Sequence, residues 1–441
     1  MKAAVRVNQF SGAVLIAKHD SIIYKQNFGT LDFANTKLID SNSMFELGIV
    51  TEEFTAAAIL ILKDEGKLRL TDPVTKYLSQ LPYKNVTIRH LLTHTSGLPD
   101  YYDEVMKDKW GTNKYATNDD MITALASAKV PLAWQPGTHY NESHYYTDYP
   151  LLAAIIEKVS GLTFANFIQQ KIFTPLRMQR TKILFTDTTA QDANTAESVY
   201  FDESKQQFFP ADSFTAFPLE YKYVAKQIQG GKGISSTSYD LFLWDRSLQN
   251  HTLLSTPSHQ EMFAPAILKD TVSQIFMGYG ILAGKNEFGN YVQQRDGGNN
   301  ETLGYIATHI HYAKDDCTII LLANKAKSSS AIAGTLAYIV FGREVVLPYI
   351  HKLVSIDTSV LNKYVGDYML PAITKIYKKD GTLWMTVKGE PDLKLLPESD
   401  TKFFSADKEY DWQVEFQLDN KGNIVKSYFI FSGLKKEAKK L

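Results

Sequence analysis

The chain has 441 residues, of which 44% are hydrophobic, and this length predicts two or three domains with sizeable apolar cores. A formal net charge of -1 gives no basis for nucleic acid or an anionic membrane as a partner. No apolar run approaches the roughly 20 residues of a membrane-spanning helix, and the single cysteine, Cys317, excludes an intramolecular disulfide.

The first predicted element is a β-hairpin. The segment FSGAVLIAKHDSIIYKQNFG contains two apolar runs around a polar turn at His19-Asp20-Ser21. A helix is predicted from about Val50 to Glu65, because apolar residues recur there at helical spacing. Gly66 is expected to end this helix, as glycine commonly does.

The central part of the chain passes from helices to strands. Helices and loops are predicted from Ile88 to Ile172, including a helix over LLAAIIEKVSG that ends at Gly161, and loops from Thr186 to Phe217. A glycine-rich turn in GGKGISS leads into an amphipathic helix. Strands are expected in FMGYGILA, YVQQ, YIATHIHY and CTIILLAN, the last two joined at Lys314-Asp315-Asp316, before a helix near Ser330 to Phe341.

After Pro348 the pattern changes to short alternating segments, with turns at Lys379-Asp380-Gly381 and Asn420-Lys421-Gly422. Several short strands at regular spacing predict a small antiparallel barrel. We therefore expect a first domain over residues 1–346, a linker over residues 347–356 and a barrel module over residues 357–441.

Two neighbouring stretches carry a family motif: FELGIVTEEFTAAAILILKDEGKLRLTDPVTKYL and TIRHLLTHTSGLP. They resemble the active-site helix region of serine β-lactamase-related and penicillin-binding-protein-like proteins, of the class C β-lactamase and D-alanyl-D-alanine carboxypeptidase type. The resemblance implies an α+β fold, in which an α/β sandwich has an antiparallel sheet and a helical subdomain. It also implies a lipocalin-like C-terminal β-barrel and a periplasmic or otherwise extracytoplasmic location.

The nucleophile of that family is missing. In the family this helix begins with Ser-x-x-Lys, where the serine is acylated and the lysine helps to remove its proton. Alignment through Phe45, Gly48 and Phe54 places Ile49 at the serine position and Glu52 at the lysine position. Isoleucine has no lone pair to attack a carbonyl, and a carboxylate reverses the assisting charge. Both residues are expected to face the cleft, because residues three apart share a helix face.

The second family motif, Tyr-x-Asn, is altered, although its flanks are present in WQPGTHYNESHYYTDYPLLAAIIEKVSG. Counting back from Leu151-Leu152 places His144-Tyr145-Tyr146 on the motif. Counting forward from Gly137 places Glu142-Ser143-His144 there, and a larger gap gives Tyr146-Thr147-Asp148. His144, Tyr145 and Tyr146 are therefore candidates for lining the cleft, with aromatic packing inside the loop as the alternative.

The third family motif survives in part, because YVQQRDGGNN puts Arg295-Asp296-Gly297 where the family has a basic residue, any residue and glycine. In the family this strand supplies an oxyanion-hole N–H group, and its cation binds a substrate carboxylate. Arginine keeps that charge and adds bidentate geometry. Arg295 and Gly297 are thus candidate ligand-binding residues, and a solvated strand-end arginine is the alternative.

Glu52 is also a candidate ligand-binding residue, and its position predicts a partner. A lone carboxylate deep in the cleft would be strongly destabilising. Arg295 is the nearest basic group that the implied fold offers. We expect the two side chains to pair directly or through one water.

Other residues receive structural interpretations. His94, in HLLTHTSGLP, belongs to a stretch that is structural in the resembled family, and Cys317 in CTIILL is predicted to be core rather than nucleophile. GGKGISS lacks the spacing of a phosphate-binding loop. The ten histidines show no HExxH or similar spacing, so neither a metal nor another cofactor is expected.

Two functions fit the sequence. The first is a non-catalytic family member that keeps its cleft to bind a small molecule or a peptide such as a peptidoglycan fragment, or to act as a scaffold. The second is an active carboxypeptidase, esterase or β-lactamase with a non-standard constellation around His144, Tyr146, Glu52 and Arg295. Loss of the nucleophile alone removes several powers of ten in rate. We therefore expect the motif positions Ile49, Glu52, Tyr146 and Arg295 to be vestigial.

Overall fold

The structure is a computed structural model, and it divides the chain into two compact units. One unit contains Ser11–Lys325 and the other contains Met1–Phe10 with Ala326–Leu441. The predicted boundaries at residues 346 and 357 stay a prediction. The structure describes residues 1–7, 10–107, 109–112, 114–140, 145–184, 192–202, 205, 207–210, 224, 227–270, 274–285, 290–297, 304–326, 329–370, 373–386, 392–405, 411–431 and 433–441.

The described α-helices are, in chain order, α1 (Lys2–Arg6), α2 (Thr51–Asp64), α3 (Ile88–Leu92), α4 (Asn118–Ala128), α5 (Tyr145–Ser160), α6 (Phe164–Ile168), α7 (Ser238–Gln249), α8 (Thr256–Phe263) and α9 (Ser329–Val340). The described strands of the first 326 residues are β1 (Phe10–Lys18), β2 (Ser21–Phe28), β3 (Phe45–Glu46), β4 (Lys182–Ile183), β5 (Val199–Asp202), β6 (Gln207–Pro210), β7 (Ile234–Ser236), β8 (Ile267–Asp270), β9 (Ile275–Met277), β10 (Leu282–Lys285), β11 (Tyr291–Gly297), β12 (Ile306–Tyr312) and β13 (Cys317–Ala326).

The main sheet draws its strands from both ends of the larger unit. Its strand order is β2-β1-β13-β12-β11-β10-β9-β8, so the first hairpin lies beside the last strand. The predicted hairpin is confirmed, with Lys18 opposite Ser21 at its turn. The predicted turn at Lys314-Asp315-Asp316 is also confirmed, because β12 and β13 pair from Tyr312 and Cys317 outward. This is the α/β sandwich that the family resemblance implies.

Helix α2 forms the centre of the larger unit. Its residues from Thr51 to Leu62 are all buried, and its apolar side chains join one core with those of α5. A helix that is buried on every side is typical of the middle of a large domain. Gly66 follows with φ 71°, which confirms the predicted helix end. Two carboxylates, Glu52 and Glu53, are buried in the first turn of this mainly apolar helix.

Two predictions in this unit need correction. FMGYGILA is not one strand, because a turn separates β9 from β10. Gly280 in that turn has φ 71°, and a Cβ there would lie 2.6 Å from the Glu52 carbonyl oxygen, so close packing against α2 forces the turn. The segment from Thr186 to Phe217 is not all loop, because β5 and β6 form a two-stranded sheet within its described part.

The C-terminal strands form the predicted antiparallel barrel. They are β14 (Gly366–Met369), β15 (Ile373–Lys379), β16 (Thr382–Thr386), β17 (Leu393–Pro397), β18 (Lys402–Ser405), β19 (Trp412–Leu418), β20 (Ile424–Phe431) and β21 (Leu434–Lys440). Each strand pairs with the next, and β14 closes the barrel against β21 through Tyr368 and Lys440. Closure removes the exposed sheet edges that invite aggregation.

Within the described ranges no single helix is long and apolar enough to cross a membrane. One helix pair, Thr147–Ser160 with Phe164–Phe173, is long and apolar enough for a membrane span when its two helices are taken together. The two helices are bent by 76°. Residues Leu151 to Ile156 of this pair belong to the core around α2.

The aromatic interior of the barrel gives a stability prediction. The Phe416 ring stacks on Tyr364 with 4.3 Å between ring centroids and meets Phe403 edge to face. Phe416→Ala should therefore lower the free energy of unfolding of the barrel by about 3–5 kcal/mol. Val425→Ala is the control, because Val425 is 58% exposed and its loss should change stability by less than about 0.5 kcal/mol. Urea unfolding followed by hydrogen exchange of β19 and β20 peptides measures both, and equal effects would contradict the prediction.

Candidate functional site

The site begins in the turn that leads into α2. Ile49 lies in a 3-10 turn, Gly48–Val50, and is partly exposed, whereas Glu52 is fully buried one turn later. Gly297 ends β11 against the backbone of this turn. A Cβ on Gly297 would overlap the Leu47 carbonyl oxygen and lie 3.1 Å from the Ile49 nitrogen. Glycine therefore lets β11 approach the turn, and the first and third motif positions come together.

The expected ion pair between Glu52 and Arg295 is present. Arg295 Nη2 donates to Glu52 Oε2, and the two side chains are buried. The alternative of a solvated strand-end arginine is wrong, because Arg295 is 1% exposed. The pair satisfies the requirement that a buried charge has a close counter-ion.

His94 extends this pair into a longer network. Its Nε2 lies 3.3 Å from Glu52 Oε2, and its Nδ1 lies 3.4 Å from Asp148 Oδ2. Ser96 Oγ donates to Asp148 Oδ1 over 2.6 Å. Asp148 stands in the first turn of α5. We call Arg295, Glu52, His94, Asp148 and Ser96 the Glu52 network, and all five of its side chains are buried.

The charges of the Glu52 network support one another. Burial lowers the pKa of the His94 imidazole, but the facing carboxylates of Glu52 and Asp148 outweigh burial and raise that pKa to about 9. His94 is therefore an imidazolium at neutral pH. Burial raises the pKa of the Asp148 carboxyl, and contact with His94 opposes that rise. The other Glu52 oxygen, Oε1, has no hydrogen-bond partner among the described residues.

A second buried network starts at the neighbouring residue, Glu53. Trp244 Nε1 donates to Glu53 Oε2 over 2.7 Å, and His309 Nδ1 lies 3.0 Å from the same oxygen. His309 Nε2 lies 3.1 Å from Asp245 Oδ1. Asp245 also accepts from Thr318 Oγ1 over 2.7 Å. We call Glu53, Trp244, His309, Asp245 and Thr318 the Glu53 network.

The Glu53 network also holds a histidine in its charged form. Burial lowers the pKa of His309, but Glu53 and Asp245 outweigh it and raise the pKa to about 10. Burial raises the pKa of Asp245, whereas hydrogen bonds to His309 and His311 lower it below its usual range. Since His309 is a strand residue and Glu53 a helix residue, this ion pair joins the main sheet to α2.

The segment that carries the altered second motif contributes Asp148 to the Glu52 network. Residues 141–144, which include His144 and the Glu142-Ser143-His144 alignment, lie outside the described residues, as do the side chains of Tyr145 and Tyr146. Thr147 donates to the Pro99 carbonyl oxygen over 2.8 Å and accepts from the Tyr101 N–H over 2.9 Å. Thr147 therefore fixes the start of α5 beside the 94–101 loop, which positions Asp148 against His94.

Sequence reasoning missed several members of these networks. The sequence gives His94 only a structural role, reaches Asp148 only through the alignment with the largest gap, and assigns no role to Glu53 or His309. A signal was present, because two consecutive acidic residues open a helix that is mainly apolar. A second signal was the pair His309 and His311, which lie two residues apart on one strand and therefore on the same face of the sheet.

The structure also bears on Cys317 and on groups of side chains that could bind a metal. Cys317 is buried in β13, and burial raises the pKa of its thiol to about 11, which confirms a core role. In the part of the chain that the structure describes, no group of three or more His, Cys, Asp and Glu side chains is arranged to hold a metal ion.

Comparison with known proteins identifies the family. The profile of the family described as Beta-lactamase matches residues 3–340, and that of a domain of unknown function, DUF3471, matches residues 351–435. Penicillin-binding protein 4* of Bacillus subtilis is 31% identical over 98% of this chain and 95% of its own length. The chain belongs to the β-lactamase family.

Other proteins are similar to this chain at lower identity. A D-aminopeptidase of Brucella anthropi is 23% identical over 75% of this chain and 59% of its own length. The penicillin-binding protein of Bacillus halodurans superposes with a TM-score of 0.65 at 23% identity, covering 77% of this chain and 98% of that protein. The octameric penicillin-binding protein homologue of Pyrococcus abyssi gives a TM-score of 0.67 at 22% identity, covering 99% and 98%.

The charged histidines predict a loss of stability at alkaline pH. The pKa values of His94 and His309 are raised from 6.5 to about 9 and about 10 in the folded protein. Their stabilisation is complete below pH 6.5 and is lost as the pH rises through these folded values. Urea unfolding should therefore give a free energy of unfolding that falls between pH 6.5 and about 10. His309→Gln should flatten this fall, and the exposed His139→Gln control should not; identical pH profiles for all three proteins would contradict the prediction.

The Glu52 network predicts a strong effect of removing one charge. Glu52→Gln leaves Arg295 and His94 without their shared counter-ion, so the free energy of unfolding should fall by about 3–5 kcal/mol. Glu65→Gln, just beyond the other end of α2, is the control, because Glu65 pairs with Lys67 and Lys171 at the surface and should contribute no more than about 1 kcal/mol. Denaturant unfolding of the two variants compares them, and similar losses would contradict the buried pairing.

Proposed function

We propose that this protein is a non-catalytic member of the β-lactamase family whose cleft serves for binding. The observation that carries the proposal is the side chain at the family's lysine position. It is Glu52, a buried carboxylate held by Arg295 and His94. Ile49, one turn before it, offers no oxygen for acylation.

The altered charges support the loss of acyl transfer. In the family mechanism an amine beside the serine takes up the proton that the serine loses. Glu52 instead has an oxygen directed to Arg295 and His94, and His94 is already protonated at neutral pH. A base that serves two cations is poorly suited to proton transfer, and the position one turn before it holds a hydrocarbon side chain.

The proposed ligand is a small molecule or a peptide, such as a peptidoglycan fragment. Support comes from the Bacillus subtilis relative, whose name describes penicillin binding, and from the Brucella anthropi relative, named a D-aminopeptidase. We assign contact with the ligand to His144, Tyr145 and Tyr146 and to the end of β11 at Gly297. Glu52 and Arg295 are buried and engaged with each other, so a ligand must displace one of them to reach the other.

Covalent labelling tests the loss of catalysis. Incubation with a fluorescent penicillin should give no adduct in the intact mass spectrum, because Ile49 has no nucleophilic atom. Penicillin-binding protein 4* of Bacillus subtilis serves as the comparison protein in the same assay. A stoichiometric adduct on any serine of the cleft would overturn the proposal and support an active hydrolase with another constellation.

Restoring the first motif tests how much of the site is lost. Ile49→Ser with Glu52→Lys should give slow acylation at best, because the new ammonium would face Arg295 and His94 and the second motif is altered. Catalytic groups that act together do not recover one at a time. Ile49→Ala with Glu52→Lys is the matched control without the hydroxyl. Rapid turnover of a chromogenic β-lactam by the serine variant alone would contradict this expectation.

Binding is tested separately by calorimetric titration with a peptide that ends in D-alanyl-D-alanine. A saturable heat that is lost on Tyr146→Ala, with unfolding unchanged, supports the ligand assignment. No heat at millimolar peptide would remove that peptide class from the proposal, whatever the outcome of the labelling experiment.

A further inference from the structure

The segment of residues 343–356, which we call the strap, runs without helix or strand between α9 and the first turn of the barrel module. Its backbone is attached to the barrel unit at two points. The Val346 N–H donates to the Gly433 carbonyl over 2.7 Å, and the Val354 N–H donates to the Pro397 carbonyl over 3.0 Å. Ten residues of the strap form the predicted linker, so this linker lies fastened along the barrel.

Between these two points the His351 side chain is clamped by two carboxylates. Its Nδ1 lies 3.3 Å from Glu398 Oε1, and its Nε2 lies 2.9 Å from Asp411 Oδ1. The ring stacks on Phe404 with 4.4 Å between centroids and an angle of 8°. A neutral imidazole donates from one nitrogen only, so only the imidazolium satisfies both carboxylates.

Other polar groups surround the clamp and bind its carboxylates. Tyr349, also on the strap, donates its hydroxyl to Glu398 Oε2 over 2.6 Å. Lys402 Nζ lies 2.6 Å from the Tyr349 hydroxyl and 3.4 Å from Glu398. Gln413 Nε2 donates to Asp411 over 3.0 Å. The charge of Glu415 contributes to raising the pKa of the Tyr349 hydroxyl.

We propose that His351 is a proton-controlled latch that fastens the strap to the barrel. The latch is closed when an imidazolium lies between Glu398 and Asp411 and donates a hydrogen bond to each. Loss of the His351 proton removes one of the two charge-assisted hydrogen bonds and turns a lone pair toward a carboxylate. Protonation of Glu398 in acid weakens the hydrogen bond to His351 Nδ1, because the carboxyl then loses its charge.

The direction of each titration places the closed state around neutral pH. Burial lowers the pKa of His351, but Asp411 and Glu398 outweigh it and raise that pKa above 6.5. Burial raises the pKa of Glu398, but Tyr349, Lys402 and His351 outweigh it and lower that pKa. The latch therefore opens as the pH rises above the raised pKa of His351, and again under strong acid.

Opening the latch has two consequences for the strap. A freed chain of this length spans up to roughly 45 Å. The strap would therefore change from a segment fixed along the barrel into a long flexible linker. Its outward apolar side chains, Leu347, Ile350 and Leu353, are already 55%, 71% and 65% exposed. Release of the strap would let these side chains move away from the barrel, which the backbone hydrogen bonds of Val346 and Val354 now prevent.

Hydrogen exchange of the full-length protein tests the latch. Between pH 7 and pH 10, after correction for intrinsic exchange, strap peptides of the wild type should lose protection by roughly tenfold or more, while β15 and β16 peptides change far less. His351→Gln should lack the extra protection at pH 7 and show no such pH dependence. The exposed His139→Gln control should behave like the wild type.

Two results would overturn the proposal: unchanged strap protection in the wild type across this range, or a wild-type pH dependence in His351→Gln. If His351→Gln unfolds the barrel, Asp411→Asn provides the second test, because it keeps the imidazole but removes one carboxylate. The NMR titration of His351 should then shift to a lower pH than in the wild type. An unshifted titration in Asp411→Asn would also overturn the latch.

Discussion

The structure of the larger unit depends on two consecutive carboxylates, Glu52 and Glu53, buried in the first turn of the central helix. A buried carboxylate is tolerated only where counter-charges and hydrogen bonds replace water. Consecutive residues point to different sides of a helix, so the two groups need separate partners. Arg295 and His309, directly opposite each other on β11 and β12, meet Glu52 and Glu53 respectively.

This arrangement also explains why two cations can stand side by side on the sheet. Like charges opposite each other on neighbouring strands are destabilising, but here each has a carboxylate of α2 against it. The networks continue through His94 to Asp148 and through His309 to Asp245. Ion pairs as well as apolar packing therefore hold α2, the main sheet and the 94–101 loop in fixed positions relative to one another.

The same positions relate the fold to the chemistry of its family. Family membership rests on residues 3–340, and homologues include proteins named penicillin-binding protein 4* and D-aminopeptidase. In the alignment that we propose, Ile49 and Glu52 stand where the family has a nucleophile and its cationic neighbour, and Arg295 pairs with Glu52. We infer that charge at this centre has changed from serving a reaction to stabilising the fold, which leaves binding as the function the site supports best.

The sequence by itself determined the family, the hairpin, the central helix to within a residue, the C-terminal barrel and the pairing of Glu52 with Arg295, because these follow from local periodicity and matched motifs. Only the tertiary structure decided the roles of His94, Asp148, Glu53 and His309, since no matched motif assigns them a partner and their partners lie 42 to 256 residues away in the chain. It likewise split FMGYGILA at Gly280, where the approach of α2 outweighs strand propensity, and fastened the predicted linker through His351. Local pattern fixes elements, whereas a buried charge outside a matched motif finds its partner only after the elements have packed.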